Sequence, residues 1–287
     1  MKSKIFDQDN KSSVEIAEGV YWIGFHDTES GLHCNPYLIV DNDEAVVIDG
    51  GSRPDFATVM MNIMATGIEP KQIKALIYQH YDPDLCGSIP NYEDIIDRKD
   101  LKIISDAENL MFIRHYSVAS RLVSLNELKF EYTFLSGRKI HFTKTPFAHA
   151  AGSFVTFDTK TRVLFTSDLF GSYGKDWELY LRLTDTCLKC RDYESCVRNL
   201  PDCPVMGILC FHKKIMTSTR ALRYALEIIS KIPFDIIAPQ HGSVITDKES
   251  IKHVFGLLGS LENVGIDEFI NEEYNPDFSN FVKGSGS

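Results

Sequence analysis

The chain is predicted to be an α/β protein, a four-layer αββα sandwich in which two sheets pack face to face and carry helices on their outer sides. Three observations predict it. Short β-rich runs come as hairpins ahead of helical segments, the same succession occurs again in the later half, and several strand-like runs end on a histidine or an aspartate. Hairpins followed by helices, twice over, is the order expected of two sheet-and-helix layers stacked on a shared core.

The elements follow in order. Val20 to Phe25, Pro36 to Val40 and Ala45 to Ile48 read as strands, with Asp41-Asn42-Asp43 turning between the last two. Phe56 to Ala65 carries apolar residues at helical spacing, Lys74 to Tyr78 is a strand that delivers His80, Ile103 to Ser105 is a further strand, and Ala107 to Tyr116 is a helix. In the second half Phe130 to Leu135 and Ile140 to Thr145 flank a Ser136-Gly137 turn. Phe154 to Phe157 and Val163 to Thr166 flank Asp158-Thr159-Lys160. Met216 to Lys231 reads as one amphipathic helix ending before Pro233, Asp235 to Ala238 as a strand, and Ile251 to Leu261 as a final helix. From Gly265 the chain is acidic and aromatic with little periodicity.

At 287 residues and 44% hydrophobic, the chain can bury a full core. We place one domain at residues 1–264 and a tail at 265–287, whose last four residues, Gly284-Ser285-Gly286-Ser287, read as a linker or cloning scar. A net charge of −10 argues against nucleic acid or an anionic membrane surface as partner. The N-terminus lacks the apolar core of a signal peptide, and no run reaches the ~18 uncharged apolar residues that span a bilayer. The 7 cysteines are odd in number and several sit beside aliphatic residues, which disfavours a disulfide framework. These features point to the cytoplasm.

The chemistry lies in His80, Asp82, Asp84, His149, Asp168 and His241, which follow the apolar runs in KALIYQHYDPD, KTPFAH, VLFTSD and DIIAPQH. Strand ends are rigid platforms that can converge on one spot. One His or Asp at a strand end is ordinarily a hydrogen-bonding residue. Three imidazoles and three carboxylates in this pattern instead point to two metal ions. His80 and Asp82, two apart in a tight turn, can face one ion with His149. Asp84 and His241 can face the other, and both oxygens of Asp168 can bridge the pair and hold the cations ~3.5–4 Å apart.

This ordered set resembles the metallo-β-lactamase superfamily, whose motif is H-x-[HED]-x-D-H and whose fold is the αββα sandwich. The resemblance spans most of residues 15–260. Within it the chain is most similar to the di-iron branch, the flavodiiron proteins and the oxygen-binding di-iron proteins, through FHKKIMTSTRAL, IIAPQHGSVI and SDLFGSYG. It implies two iron ions as cofactor, joined by an oxo or hydroxo bridge, and a place for Asp49 in AVVIDGG as the strand-end aspartate beneath the metals, supporting their ligands. Asp82 stands where the zinc hydrolases usually carry histidine, and a hard oxygen there suits iron or manganese better than zinc. Leu85 departs further: the family motif ends in a histidine, so the second ion loses an imidazole. The resemblance then implies an open, apolar-walled position for dioxygen at Leu85, with no proton on offer.

The expected function is therefore dioxygen binding, rather than turnover, by a non-haem di-iron sensor or carrier in bacterial signalling of the chemotaxis type. Two alternatives stand beside it. One is a dioxygen or nitric oxide reductase fed by an external flavoprotein; the 46 residues after His241 are too few for a flavodoxin-like domain. The other is a metal-dependent hydrolase. Expected partners are dioxygen and a signalling or electron-transfer protein, and a homodimer is compatible with the resemblance. Cys187, Cys190, Cys196, Cys203 and Cys210 form a loose cluster that reads as reduced thiols, Cys86 as packing and Trp177 as core. His26 and His33 fall in a loop that the resemblance puts at the border of the metal pocket and read as solvated loop histidines, with orientation of a ligand as the alternative; Tyr81 alternates away from the metals, and His115, His141, His212 and His253 lack coordinating spacing.

Overall fold

The computed structural model describes residues 13–27, 31–116, 118–174, 177–190 and 203–271. The first half runs β1 (Val14–Ala17), β2 (Val20–Trp22), β3 (Tyr37–Asp41), β4 (Glu44–Ile48), α1 (Phe56–Ala65), β5 (Ile73–Ile77), α2 (Pro83–Cys86), α3 (Ile89–Ile96), β6 (Lys102–Ser105), α4 (Ala107–Ile113) and β7 (Arg121–Ser124). The second runs β8 (Glu131–Thr133), β9 (Lys139–Lys144), β10 (Phe154–Asp158), β11 (Val163–Phe165), α5 (Asp185–Leu188), α6 (Pro204–Ile215), α7 (Thr219–Ile229), β12 (Ile236–Ala238), α8 (Lys248–Ser260) and α9 (Ile266–Asn271). One sheet has the order β1-β2-β3-β4-β5-β6-β7, and the other β12-β11-β10-β9-β8. Pairing is antiparallel from β1 to β4 and from β8 to β11, and parallel from β4 to β7 and between β11 and β12.

Strand alternation sorts the apolar side chains into layers. On β4, Val46 and Ile48 face the second sheet while Ala45 and Val47 face the helices; on β11, Val163 and Phe165 face inward and Leu164 outward. The inner faces make a shared core that includes Tyr37, Ile77, Ile104, Phe142, Phe154 and Phe165. A second core packs α1, α3 and α4 on the first sheet, and a third packs α6, α7 and α8 on the other. Two-residue periodicity with both faces buried is what a sheet between a sheet and helices requires. The fold is the αββα sandwich of metallo-β-lactamase type.

Three departures from sequence expectation have local causes. The helix expected over Met216 to Lys231 is α7, but it starts later, at Thr219, because Ser218 Oγ accepts the Ala221 N–H at 3.2 Å and caps it there. Beyond Gly265 there is a short helix, α9, tied back by Ile266 N to Thr217 O at 3.0 Å and by Thr219 N to the Asp267 carboxylate at 2.8 Å. The expected Ala107–Tyr116 helix is α4 followed by a 3₁₀ turn over Arg114–Tyr116. Cys196 and residues 272–287 lie outside the described residues. Among the described residues no helix is long and apolar enough to cross a membrane.

Candidate metal centre

The site sits at the carboxyl ends of β5, β9, β11 and β12. His80 and Asp168 come three residues after their strands, His241 three after β12, and His149 five after β9. Four hydrogen bonds fix this end of the sandwich. Gln79 spans the sheets, its side-chain amide donating to Phe154 O and Phe165 O at 2.9 Å each, and its backbone N–H donates to Asp49 Oδ1 at 2.9 Å. Tyr37 of the first sheet donates to Pro239 O at 2.8 Å, just ahead of His241. Asp49 is thus buried beneath the loop and holds the residue preceding His80. Burial raises its pKa against the pull of the Gln79 N–H.

All six predicted residues are brought together. His80 Nε2 lies 3.7 Å from Asp82 Oδ2, and His149 Nε2 lies 3.4 Å from that oxygen. His241 Nε2 lies 3.5 Å from Asp84 Oδ2. Asp168 stands between the halves: its Oδ1 is 3.8 Å from His80 Nε2 and 3.6 Å from His241 Nε2, and its Oδ2 is 3.0 Å from His149 Nε2. Asp82 takes the cap position of α2 without a capping hydrogen bond, so its carboxylate is left for the site, and Asp84 follows in the first turn. The side chains of His80, Asp168 and His241 are at most 4% exposed, against 35% for Asp82, 28% for Asp84 and 21% for His149. The cluster therefore opens to solvent on the α2 side.

The far nitrogens are already committed. His80 Nδ1 is 2.9 Å from Ser167 Oγ and His241 Nδ1 is 2.7 Å from His33 O. A carbonyl can only accept, so His241 carries its proton on Nδ1 and turns the Nε2 lone pair inward. Burial holds the His80 pKa below its ordinary value, keeping that imidazole neutral. Burial alone would raise the Asp168 pKa, but His80, His149 and His241 override it and keep the carboxylate ionised. Burial pushes Asp84 up. Asp168 Oδ1 is buried without a hydrogen-bond donor. An unpartnered buried carboxylate oxygen amid inward-facing imidazole lone pairs is costly without a cation. The residues fit a two-metal site.

The other candidates separate cleanly. Leu85 is fully buried in the apolar core between the first sheet and its helices, along with Cys86. Tyr81 stacks on Phe112 at 4.4 Å, away from the carboxylates. His33 is not solvated as expected but 1% exposed: its carbonyl accepts from His241, and its ring meets Gly174 O at 2.9 Å and stacks on Trp177 at 4.6 Å, which leaves no room for water. Trp177 is a partly buried flank of the inter-sheet core. Among the described residues Cys187, Cys190, Cys203 and Cys210 join no disulfide.

Sequence reasoning passed over two residues. Cys34 Sγ lies 3.7 Å from Asp84 Oδ2 and groups with Asp84 and His241, their donor atoms all within 4.8 Å of one another. His212 of α6 accepts the Phe170 N–H at Nε2, 2.9 Å away, and donates from Nδ1 to Ile208 O at 2.7 Å, steadying the turn after Asp168. No signal in FHKK marks it, since it has no metal-ligand spacing.

Comparison with known proteins adds the lineage. The structure is similar to the apo state of the chemotaxis sensor ODP from T. denticola, with a TM-score of 0.70 and 25% identity over 90% of this chain and 97% of that one. It is also similar to a structure described as a peroxy diiron species of chemotaxis sensor ODP, with a TM-score of 0.69 and 23% identity over 90% of this chain and 98% of the other. Type A flavoprotein fprA of Rhodobacter capsulatus is 24% identical over 269 residues, covering 86% of this chain and 56% of its own length. The chain therefore spans about half the length of the curated relatives it matches. A family model described as ODP family beta lactamase matches residues 32–242, and the chain belongs to that family.

Proposed function

We propose that this chain is a cytoplasmic non-haem di-iron protein that binds dioxygen and reports it, as a sensor or carrier in chemotaxis-type signalling. His80, Asp82 and His149 would hold one ion and Asp84 and His241 the other, with Asp168 serving both. Bound there as ferrous iron, the pair would supply the electrons for binding dioxygen. The observation that carries the reading is the placement of Asp168, with one oxygen shared between His80 and His241 and the other on His149.

The protein's own residues orient and protect. Ser167 Oγ and His33 O fix the two buried imidazoles, Asp49 and Gln79 pin the loop that carries His80, and Leu85 offers neither a ligand nor a proton. A hard, carboxylate-rich donor set favours iron over zinc on ligand type, although intrinsic affinity runs the other way. Similarity to a protein described as a chemotaxis sensor over nearly its whole length supports sensing. A signalling or electron-transfer partner and a homodimer belong to the same proposal.

The test is anaerobic loading with ferrous iron, a metal count, and exposure to oxygen while the visible spectrum is followed. A count of about two irons per chain and a band that forms on oxygen and fades under vacuum are expected. Rapid oxygen consumption once a flavoprotein reductase is added would favour the reductase reading. Failure to take up iron, with zinc-dependent ester or lactone hydrolysis, would favour the hydrolase.

A further inference from the structure

We propose that Cys34 is a protein ligand of the second metal ion, supplying as a thiolate the donor that Leu85 does not. The inference rests on the two-metal reading above and concerns only the half of the site built on Asp84 and His241.

Three independent observations converge on Cys34. Its sulfur is 3.7 Å from Asp84 Oδ2, and the donor atoms of Cys34, Asp84 and His241 all lie within 4.8 Å of one another. That spacing suits three ligands around one cation, since a metal at about 2.0–2.3 Å from each donor keeps the donors themselves roughly 3–4.5 Å apart. Second, Asp168 Oδ1, buried and lacking a hydrogen-bond donor, lies 3.6 Å from the Nε2 of His241, a member of the same trio. Third, the backbone around Cys34 is stitched to the strand end that carries His241. Asn35 N donates to Gln240 O at 2.8 Å, Asn35 Nδ2 donates to Pro239 O at 3.0 Å and Gly242 O at 2.7 Å, and His33 O accepts from His241 Nδ1 at 2.7 Å. The sulfur is thereby held in register with the imidazole, as a ligand must be.

Charge agrees with geometry. The carboxylates of Asp82, Asp84 and Asp168 with one thiolate carry as many negative charges as two divalent cations carry positive ones, so the assembly is neutral without an added anion. A neutral cluster is what a largely buried site favours. The arrangement also makes the two ions unequal. The first keeps only nitrogen and oxygen donors, whereas the second adds one sulfur donor to its carboxylates and imidazole.

Zinc-loaded protein at about two zinc ions per chain, examined by zinc-edge X-ray absorption, tests this directly. A sulfur scatterer at about 2.3 Å, averaging about half an atom per zinc, is expected beside the shorter nitrogen and oxygen shell. It should persist in Cys187→Ser/Cys190→Ser and vanish in Cys34→Ser. A nitrogen and oxygen shell alone, with both zinc ions bound, overturns the Cys34 ligand and leaves the two-metal centre standing. Sulfur that survives Cys34→Ser overturns it as well. Absence of bound zinc defeats the inference together with the reading beneath it. Should Cys34→Ser not fold, mass mapping of wild-type thiols by iodoacetamide replaces it. Cys34 is expected to be alkylated in the metal-free protein and protected at least tenfold by zinc, and equal labelling in both states overturns the ligand.

Discussion

His212 shows how one side chain far from any ligand spacing can matter to the site. It is fully buried, donates from Nδ1 and accepts at Nε2, so only the neutral ring satisfies both of its partners. Burial brings its pKa down from 6.5 to about 4. The unfolded chain then binds more protons than the folded one between those values, and stability falls as the pH drops through that window. The loss amounts to about 2 kcal/mol by pH 5 and about 3 kcal/mol once the pH is below both values. With metal removed from both proteins, urea midpoints of wild type and His212→Phe should differ most near pH 7. The gap should close by about 2 kcal/mol at pH 5. A gap of the same size at both pH values would show that the ring is not held neutral by the fold. The same residue illustrates a limit of sequence reading. Nothing in FHKK distinguishes a ring aimed at a backbone amide from a solvated one, whereas the strand-end histidines announce themselves by what precedes them.

At the scale of elements, the strands were the most legible and the short proline-led helices the least. β4 and α1 stand out because their apolar spacing is unbroken over five and ten residues. α2 and α3 begin with Pro83 and Pro90 in their first turns, where proline is tolerated but reads as a breaker. β1 and β7 are four-residue edge strands, too short for alternation to register. α6 went unread because its glycine and cysteine mask a helical period, and its glycine has a use. A Cβ at Gly207 would come within 2.7 Å of Ser172 Oγ and closer still to Tyr173 O, in the loop that leaves Asp168. Alanine ordinarily stabilises a helix interior by roughly 0.5–1 kcal/mol relative to glycine. Here overpacking should prevail, and Gly207→Ala should destabilise the fold by about 1–3 kcal/mol in urea titration. A stabilised variant would mean that α6 can slide off the loop without cost. Gly242, at φ +78°, packs against the other side of Ser172, so that loop is confined from two directions.

Across the whole molecule, the ligand set was readable because each residue follows a hydrophobic run, while the supports were not, because they join segments distant in the chain. His33 and His241 are 208 positions apart, and no local pattern pairs them. The opposite end of the sandwich has a comparable long-range tie in Arg138. Its guanidinium meets Asp158 twice, at 2.9 and 2.6 Å, and donates to Val40 O at 3.0 Å, joining β10 to the end of β3. Burial alone would raise the Asp158 pKa, but the hydrogen bonds from Arg138 and Thr161 lower it below 3.8. The carboxylate therefore contributes stability at neutral pH, and that contribution is lost as the pH falls below about 4 through its folded value. Removing Arg138 strands a buried negative charge, so Arg138→Met should cost about 3–5 kcal/mol at pH 7. The defect should shrink as acid protonates Asp158, and Arg138→Met/Asp158→Asn should be more stable than Arg138→Met alone. Urea titrations at pH 7 and pH 4 measure both effects. If the double variant is no better than the single, or if the defect is unchanged in acid, the tie works through the bulk of the arginine side chain rather than through its ion pair with Asp158, and the two sheets are held by shape.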